Sequence, residues 1–84
     1  MLGQIVYLNE HHGMFAVQLE SGLFTICEHL DTCDLQKGQQ VKGPFDSVGS
    51  ETIYNIDLQE PVEVCIQWSE LNRRDAQKAL SRFS

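Results

Sequence analysis

Apolar and polar residues alternate through most of this chain, and the spacing turns helical only near its C-terminal end. Phe15, Val17 and Leu19 alternate along one segment, and Phe24 and Ile26 alternate after Ser21-Gly22. A period of two marks half-buried strands, and glycine tolerates the positive φ of a tight hairpin turn. A two-residue turn at Ser21-Gly22 sets Val17 opposite Ile26, Ala16 opposite Cys27 and Met14 opposite His29. Phe15, Val17, Leu19, Phe24 and Ile26 are then expected inside, with Met14, Ala16, Gln18, Thr25 and Cys27 outside. Small barrels commonly bind on such an outer face; this one carries neither charge nor aromatic rings.

The rest of the chain continues the pattern. A first strand is expected over Gly3–Leu8, followed by a turn through Asn9-Glu10-His11-His12-Gly13. Residues 28–38 read as a loop with a short helical turn near 30–35. A short strand spans 39–43, ended by Gly43-Pro44, and another spans 52–58 after a polar loop at 46–50. Val62, Val64 and Ile66 alternate with Glu63, Cys65 and Gln67, which makes a sixth strand over 62–67. Ser69 suits a helix N-cap, and the helix is expected over 69–83. Its apolar stripe is Ala76, Ala79, Leu80 and Phe83, with Arg74, Lys78 and Arg82 forming a basic ridge. A helix this short needs tertiary contact to persist. The expected fold is all-β, a small antiparallel barrel with an added sixth strand and a C-terminal α-helix. Residues 1–58 form the barrel, and 59–84 an extension packed on it or on a partner chain.

Eighty-four residues, 42% of them apolar, supply a core for one small domain. The net charge of −6 is uneven: residues 1–68 hold ten acids and two bases, whereas 69–84 hold two acids and four bases. An acidic body repels phosphate chains at long range, while the basic tail suits an acidic surface. No apolar run approaches the roughly 18 residues of a membrane span, and no targeting segment is evident in the opening residues. Cys27, Cys33 and Cys65 are an odd number of thiols with no secretion signal, so reduced cysteines in a cytoplasmic protein are expected.

Short motifs in a shared order add a family resemblance. Gly3-Gln4-Ile5-Val6-Tyr7-Leu8-Asn9 resembles the G-x-V-K-W-F-N opening of cold-shock domains. Glu10 to Val17 sits where that family has K-G-F-G-F-I, and Phe24-Thr25-Ile26-Cys27 where it has V-F-V-H. Leu35 to Val41 is similar to L-x-x-G-Q-x-V, and the stretch from Gly49 to Ile56 to the closing G-P-Q-A-A-N-V. The resemblance covers about residues 3–58. It implies an OB-like barrel that stacks single-stranded nucleic acid on exposed rings beside lysines. Such stacking is worth roughly 1–3 kcal/mol per base, and here most of the platform is replaced. Tyr7 matches the family's tryptophan. Leu8, Met14, Ala16, Thr25 and Glu28 stand at ring positions, Cys27 at the histidine, and Val6 and His12 at lysines. A fold does not carry its function once the site is rewritten.

The expected function is therefore a small non-enzymatic binding module that mediates protein–protein contact or self-association. The binding face expected for it is Tyr7, Leu8, His12, Met14, Ala16, Thr25 and Cys27. An apolar, uncharged patch suits a protein partner or a second copy, in a homodimer, better than a phosphate backbone. The alternative is weak single-stranded RNA or DNA binding through Tyr7, helped by Arg74, Lys78 and Arg82. A third reading is a metal or thiol site at His12, Cys27, His29 and Cys33, but their spacing matches no standard zinc motif and no CxxC pair exists. Glu10, Glu28 and Asp31 read as surface charge, and no nucleophile elbow, Walker loop or dinucleotide fingerprint is present. No catalytic residue, metal, cofactor or membrane contact is expected.

Overall fold

The alternating segments become six antiparallel strands that close on themselves in the computed structural model, which describes residues 1–30 and 34–82. The elements are β1 (Leu2–Asn9), β2 (Met14–Leu19), β3 (Phe24–His29), β4 (Gln40–Lys42), β5 (Gly49–Asn55), β6 (Glu60–Leu71) and α1 (Arg73–Ser81). Around the barrel the order is β1-β2-β3-β6-β5-β4, with β4 returning to β1. Two three-stranded meanders, β1–β3 and β4–β6, thus meet along two seams. Closure satisfies the edge amides and carbonyls that a small sheet would otherwise present. The expected fold class, a small all-β barrel with a C-terminal helix, is the one observed.

The division expected at residue 58 does not mark a structural boundary. β6 is twice the expected length and forms the stave between β3 and β5, pairing from Gly49 opposite Ile66 to Asn55 opposite Glu60. The strand expected over 52–58 lies earlier, and β4 stops before Gly43-Pro44 as expected. Of the helical turn expected near 30–35, residues 31–33 lie outside the described residues; Leu30, Asp34 and Leu35 are not helical.

The barrel interior holds Ile5, Phe15, Val17, Leu19, Cys27, Leu35, Val41, Phe45, Ile53, Val62, Val64 and Ile66. Each large apolar side chain buried there contributes roughly 1.5–3 kcal/mol relative to exposure. Among the described residues two polar ones, Thr25 and Asn55, are fully buried. Thr25 Oγ1 donates to the Phe45 carbonyl at 3.0 Å, and Asn55 Nδ2 donates to Gln39 Oε1 at 2.9 Å. Both bonds tie loops to the barrel, and among the described residues no buried side-chain nitrogen or oxygen lacks a partner.

The hairpin register differs by one residue from the expected one. Leu19 N–H donates to Leu23 O at 2.8 Å and Gly22 N–H to Leu19 O at 2.9 Å, with Gly22 at φ 92°. The loop is therefore Glu20-Ser21-Gly22, a turn closed by a left-handed glycine, rather than a two-residue turn. Phe15 faces Cys27, Ala16 faces Ile26, Val17 faces Thr25 and Met14 faces Glu28. A slip of one residue inverts a whole strand. Thr25 and Cys27 consequently point into the barrel, and Phe24 and Ile26 point out. β2 keeps its expected faces.

A bulge shapes the first strand. Ile5 pairs with Val17 and Tyr7 with Ala16, leaving Val6 as the extra residue. Val6 and Tyr7 then both join the outer layer, while Leu8 packs against the interior. The helix starts later than expected because β6 continues through Ser69. Asn72 is the N-cap, its Oδ1 accepting from Asp75 N–H at 2.8 Å.

Candidate functional site

The outer face of β1–β3 forms a second apolar layer, and α1 lies over it. Met14, Ala16, Phe24, Ile26, Ala76 and Ala79 make up its buried part, flanked by the half-buried Val6, Tyr7, Trp68, Leu71 and Leu80. The helix sits chiefly on β3 and touches β6. Its two alanines let the backbone approach the sheet closely, which explains why only Ala76 and Ala79 of the expected stripe are fully enclosed while Leu80 lies at the rim; Phe83 lies outside the described residues.

The residues expected to form one binding face are thereby split among several places. Met14 and Ala16 lie in this layer at 3% and 1% exposure, closed off by the helix. Thr25 and Cys27 lie inside the barrel, inverted by the register slip, and Leu8 turns inward beyond the bulge. His12 is exposed in the β1–β2 turn, where its N–H donates to Asn9 Oδ1 at 3.3 Å. Of these expected residues, Tyr7 is the one placed as a half-buried ring at the margin of the outer layer. Phe24 and Ile26 replace Thr25 and Cys27 in the outer face, so it carries rings where none was expected, Phe24 with Tyr7 and Trp68 beside it, and the half-buried Glu28 stands opposite Met14 at its end.

Among the described residues, the thiol and imidazole candidates do not gather into a site. Burial pushes the Cys27 thiol up from the ordinary 9.0 to about 12, and nearby Cys65 adds to the effect. A thiol so disposed stays protonated, whereas a metal ligand or nucleophile must be a thiolate. His29 packs above Gly13, whose backbone has φ 68°, and His12 stands edge-on to His11 at 5.0 Å. Among the described residues no three His, Cys, Asp or Glu side chains are placed to hold a metal ion; Cys33 lies outside those residues. No helix among them is long and apolar enough to cross a membrane.

Arg74, Lys78 and Arg82 are exposed, as their spacing predicts. Arg82 has a further contact within the chain: its guanidinium stands 5.9 Å from the Trp68 ring centroid. Arg73 stands 5.6 Å from that of Phe24. Cation–π contacts at exposed sites contribute about 0.5–1 kcal/mol each, so two cations of this helix hold the rim of the layer beneath it.

The open concavity beside this layer is a hollow of 540 Å³ lined by Tyr7, Leu8, Asn9, Glu10, Gln36 and Lys37. A second hollow of 270 Å³, lined by Tyr7, Gln77, Leu80 and Ser81, lies at the seam between α1 and β1. Tyr7 is common to both. Gln36 and Lys37 reach the site because their loop is laced to β1: Ile5 N–H donates to Gln39 O at 2.9 Å and Gly38 N–H to Ile5 O at 2.7 Å. Sequence reasoning missed Gln36, Lys37 and Gln77, whose proximity to Tyr7 depends on barrel closure and helix docking. The only signal available was the Gly38-Gln39 motif, which marks the loop but not where it lands. Comparison with family models, curated proteins and solved structures finds no match for this chain.

Proposed function

We propose that this chain is a small non-enzymatic protein-contact module working through the layer between the β1–β3 sheet and α1. The observation that carries the reading is that layer's composition. Met14, Ala16, Phe24 and Ile26 form an uncharged apolar sheet surface, and what covers it is an amphipathic helix. A surface that recognises the apolar face of a helix is a protein-binding surface in chemical terms, and the acidic charge of the body disfavours phosphate chains. The matching experiment is a concentration series by light scattering at low and high salt. Association insensitive to salt supports the reading. Salt-dependent capture of a single-stranded oligonucleotide, abolished by Tyr7→Ala, would replace it.

One observation favours a second reading. Tyr7 and Lys37 line the same hollow with the amides of Asn9 and Gln36, a ring and a cation within reach of a single unpaired base. That alternative, weak binding of single-stranded nucleic acid, rests on one stacking ring rather than a platform.

A further inference from the structure

We propose that α1 is exchanged between two copies of this chain, so that each helix covers the β1–β3 face of the other. The inference rests on the protein-contact reading and names its partner. It starts from the hinge. β6 runs to Leu71, Asn72 caps, and α1 begins at Arg73, so strand and helix are joined with almost no linker. Within that hinge Glu70 is held at φ 54°. A side chain in the left-handed region is strained, and no glycine relieves it here. Glu70 N–H donates to Thr25 Oγ1 at 3.4 Å, a long bond. The pairing of β6 with β3 is also irregular at this end, shifting between Phe24 opposite Leu71 and Ile26 opposite Trp68.

Straightening at Glu70 removes the strain and carries α1 away from its own barrel. The helix is well suited to leave, since among the described residues its fully enclosed side chains are the two small ones of Ala76 and Ala79. An opened copy exposes Met14, Phe24, Ile26 and part of Trp68 as a contiguous apolar surface. The helix shaped to that surface is α1 of another opened copy. Reciprocal exchange restores the contacts between helix and sheet, though not those of the hinge itself, and closes a two-fold dimer. Because the exchanged and closed states share the same interface, strain at the hinge decides between them, and strained hinges favour exchange.

The test changes the hinge in opposite directions. Glu70→Pro fixes φ near −65°, which the closed hinge cannot adopt, and is expected to be dimeric. Glu70→Gly accommodates the left-handed conformation and, with two hinges in each dimer, is expected to dimerise at least about tenfold more weakly than wild type. Both are read by sedimentation up to about 1 mM, the scale of effective concentration for short tethers. A second measurement does not depend on Glu70. Ala16→Arg blocks the face and Ala79→Arg spoils the helix; mixed in equal amounts, the intact helix of the first chain docks on the intact face of the second. A one-to-one heterodimer in native mass spectrometry is expected. A folded, monomeric Glu70→Pro protein, or a mixture without heterodimer, overturns the exchange. If wild type still associates independently of salt while the mixture stays unpaired, the protein-contact reading stands and only the exchange fails.

Discussion

The same strands build two apolar layers that are closed in different ways. β2 sends Phe15, Val17 and Leu19 into the barrel and Met14 and Ala16 beneath the helix. β3 sends Cys27 and Thr25 inward and Phe24 and Ile26 outward. The inner layer is enclosed on all sides by hydrogen-bonded staves, so it is lost only when the barrel opens. The outer layer is closed by nine helical residues joined through a short hinge. Apolar composition is alike in the two; the difference is the cooperativity of what encloses them. The inner layer governs global unfolding, and the outer one governs a local opening.

The largest separation between the layers should come from truncating one phenylalanine in each. Phe15→Ala, at a fully buried inner site, is expected to cost about 3–5 kcal/mol. A domain of this length has about 4–13 kcal/mol in total, so urea unfolding should show a large fall in midpoint or outright loss of the fold. Phe24→Ala in the outer layer should cost about 2 kcal/mol, below the usual range for buried phenylalanine because the helix can settle onto the gap. Hydrogen exchange should place its effect in α1 and spare β5. An equal loss of protection in both would mean that the layers are one cooperative unit.

Alkaline titration offers a probe of the inner layer. The Cys27 thiol sits at about 12 in the folded chain against an ordinary 9.0, so the folded state retains a proton that the unfolded state gives up. Its contribution to stability is complete below pH 9 and declines as pH rises towards 12, by about 1.4 kcal/mol per unit at most. Cys27→Ala should flatten that part of the stability profile. The smallest effect belongs to the helix terminus: Asn72→Ala removes the cap on Asp75 N–H and should cost about 1 kcal/mol, seen as faster exchange in α1 with an unchanged barrel.

How far the sequence disclosed this arrangement varies with the range of the forces involved. Alternation and turn signals together place all six strands, and the inner face of β2 is legible because three large apolar residues, Phe15, Val17 and Leu19, recur at every second position there. β3 was misread because Ser21-Gly22 resembles a two-residue turn, whereas the carbonyl of Leu23 rather than Phe24 completes the loop. One residue of loop length therefore reassigned Phe24, Thr25, Ile26 and Cys27 together. The alternation alone could not correct this, since both faces of β3 carry residues fit for burial. The bulge at Val6 left no mark in the pattern for the same reason. Helix onset was hidden because Ser69 is a good cap in isolation, but pairing with β3 extends β6 beyond it to Leu71. The hollow around Tyr7 needed residues some thirty and seventy positions away, and no local signal specifies such a meeting.

The placement of β6 also fixes an order of events during synthesis. Until residues 60–71 leave the ribosome, the two meanders share only the seam between β1 and β4, and β3 and β5 each present a bare edge. Emergence of that stave pairs both edges at once, and the helix, which follows it, then meets a finished surface. A nascent chain stalled just before Glu60 should therefore be the most adhesive form of this protein, able to recruit foreign strands that the completed molecule turns away.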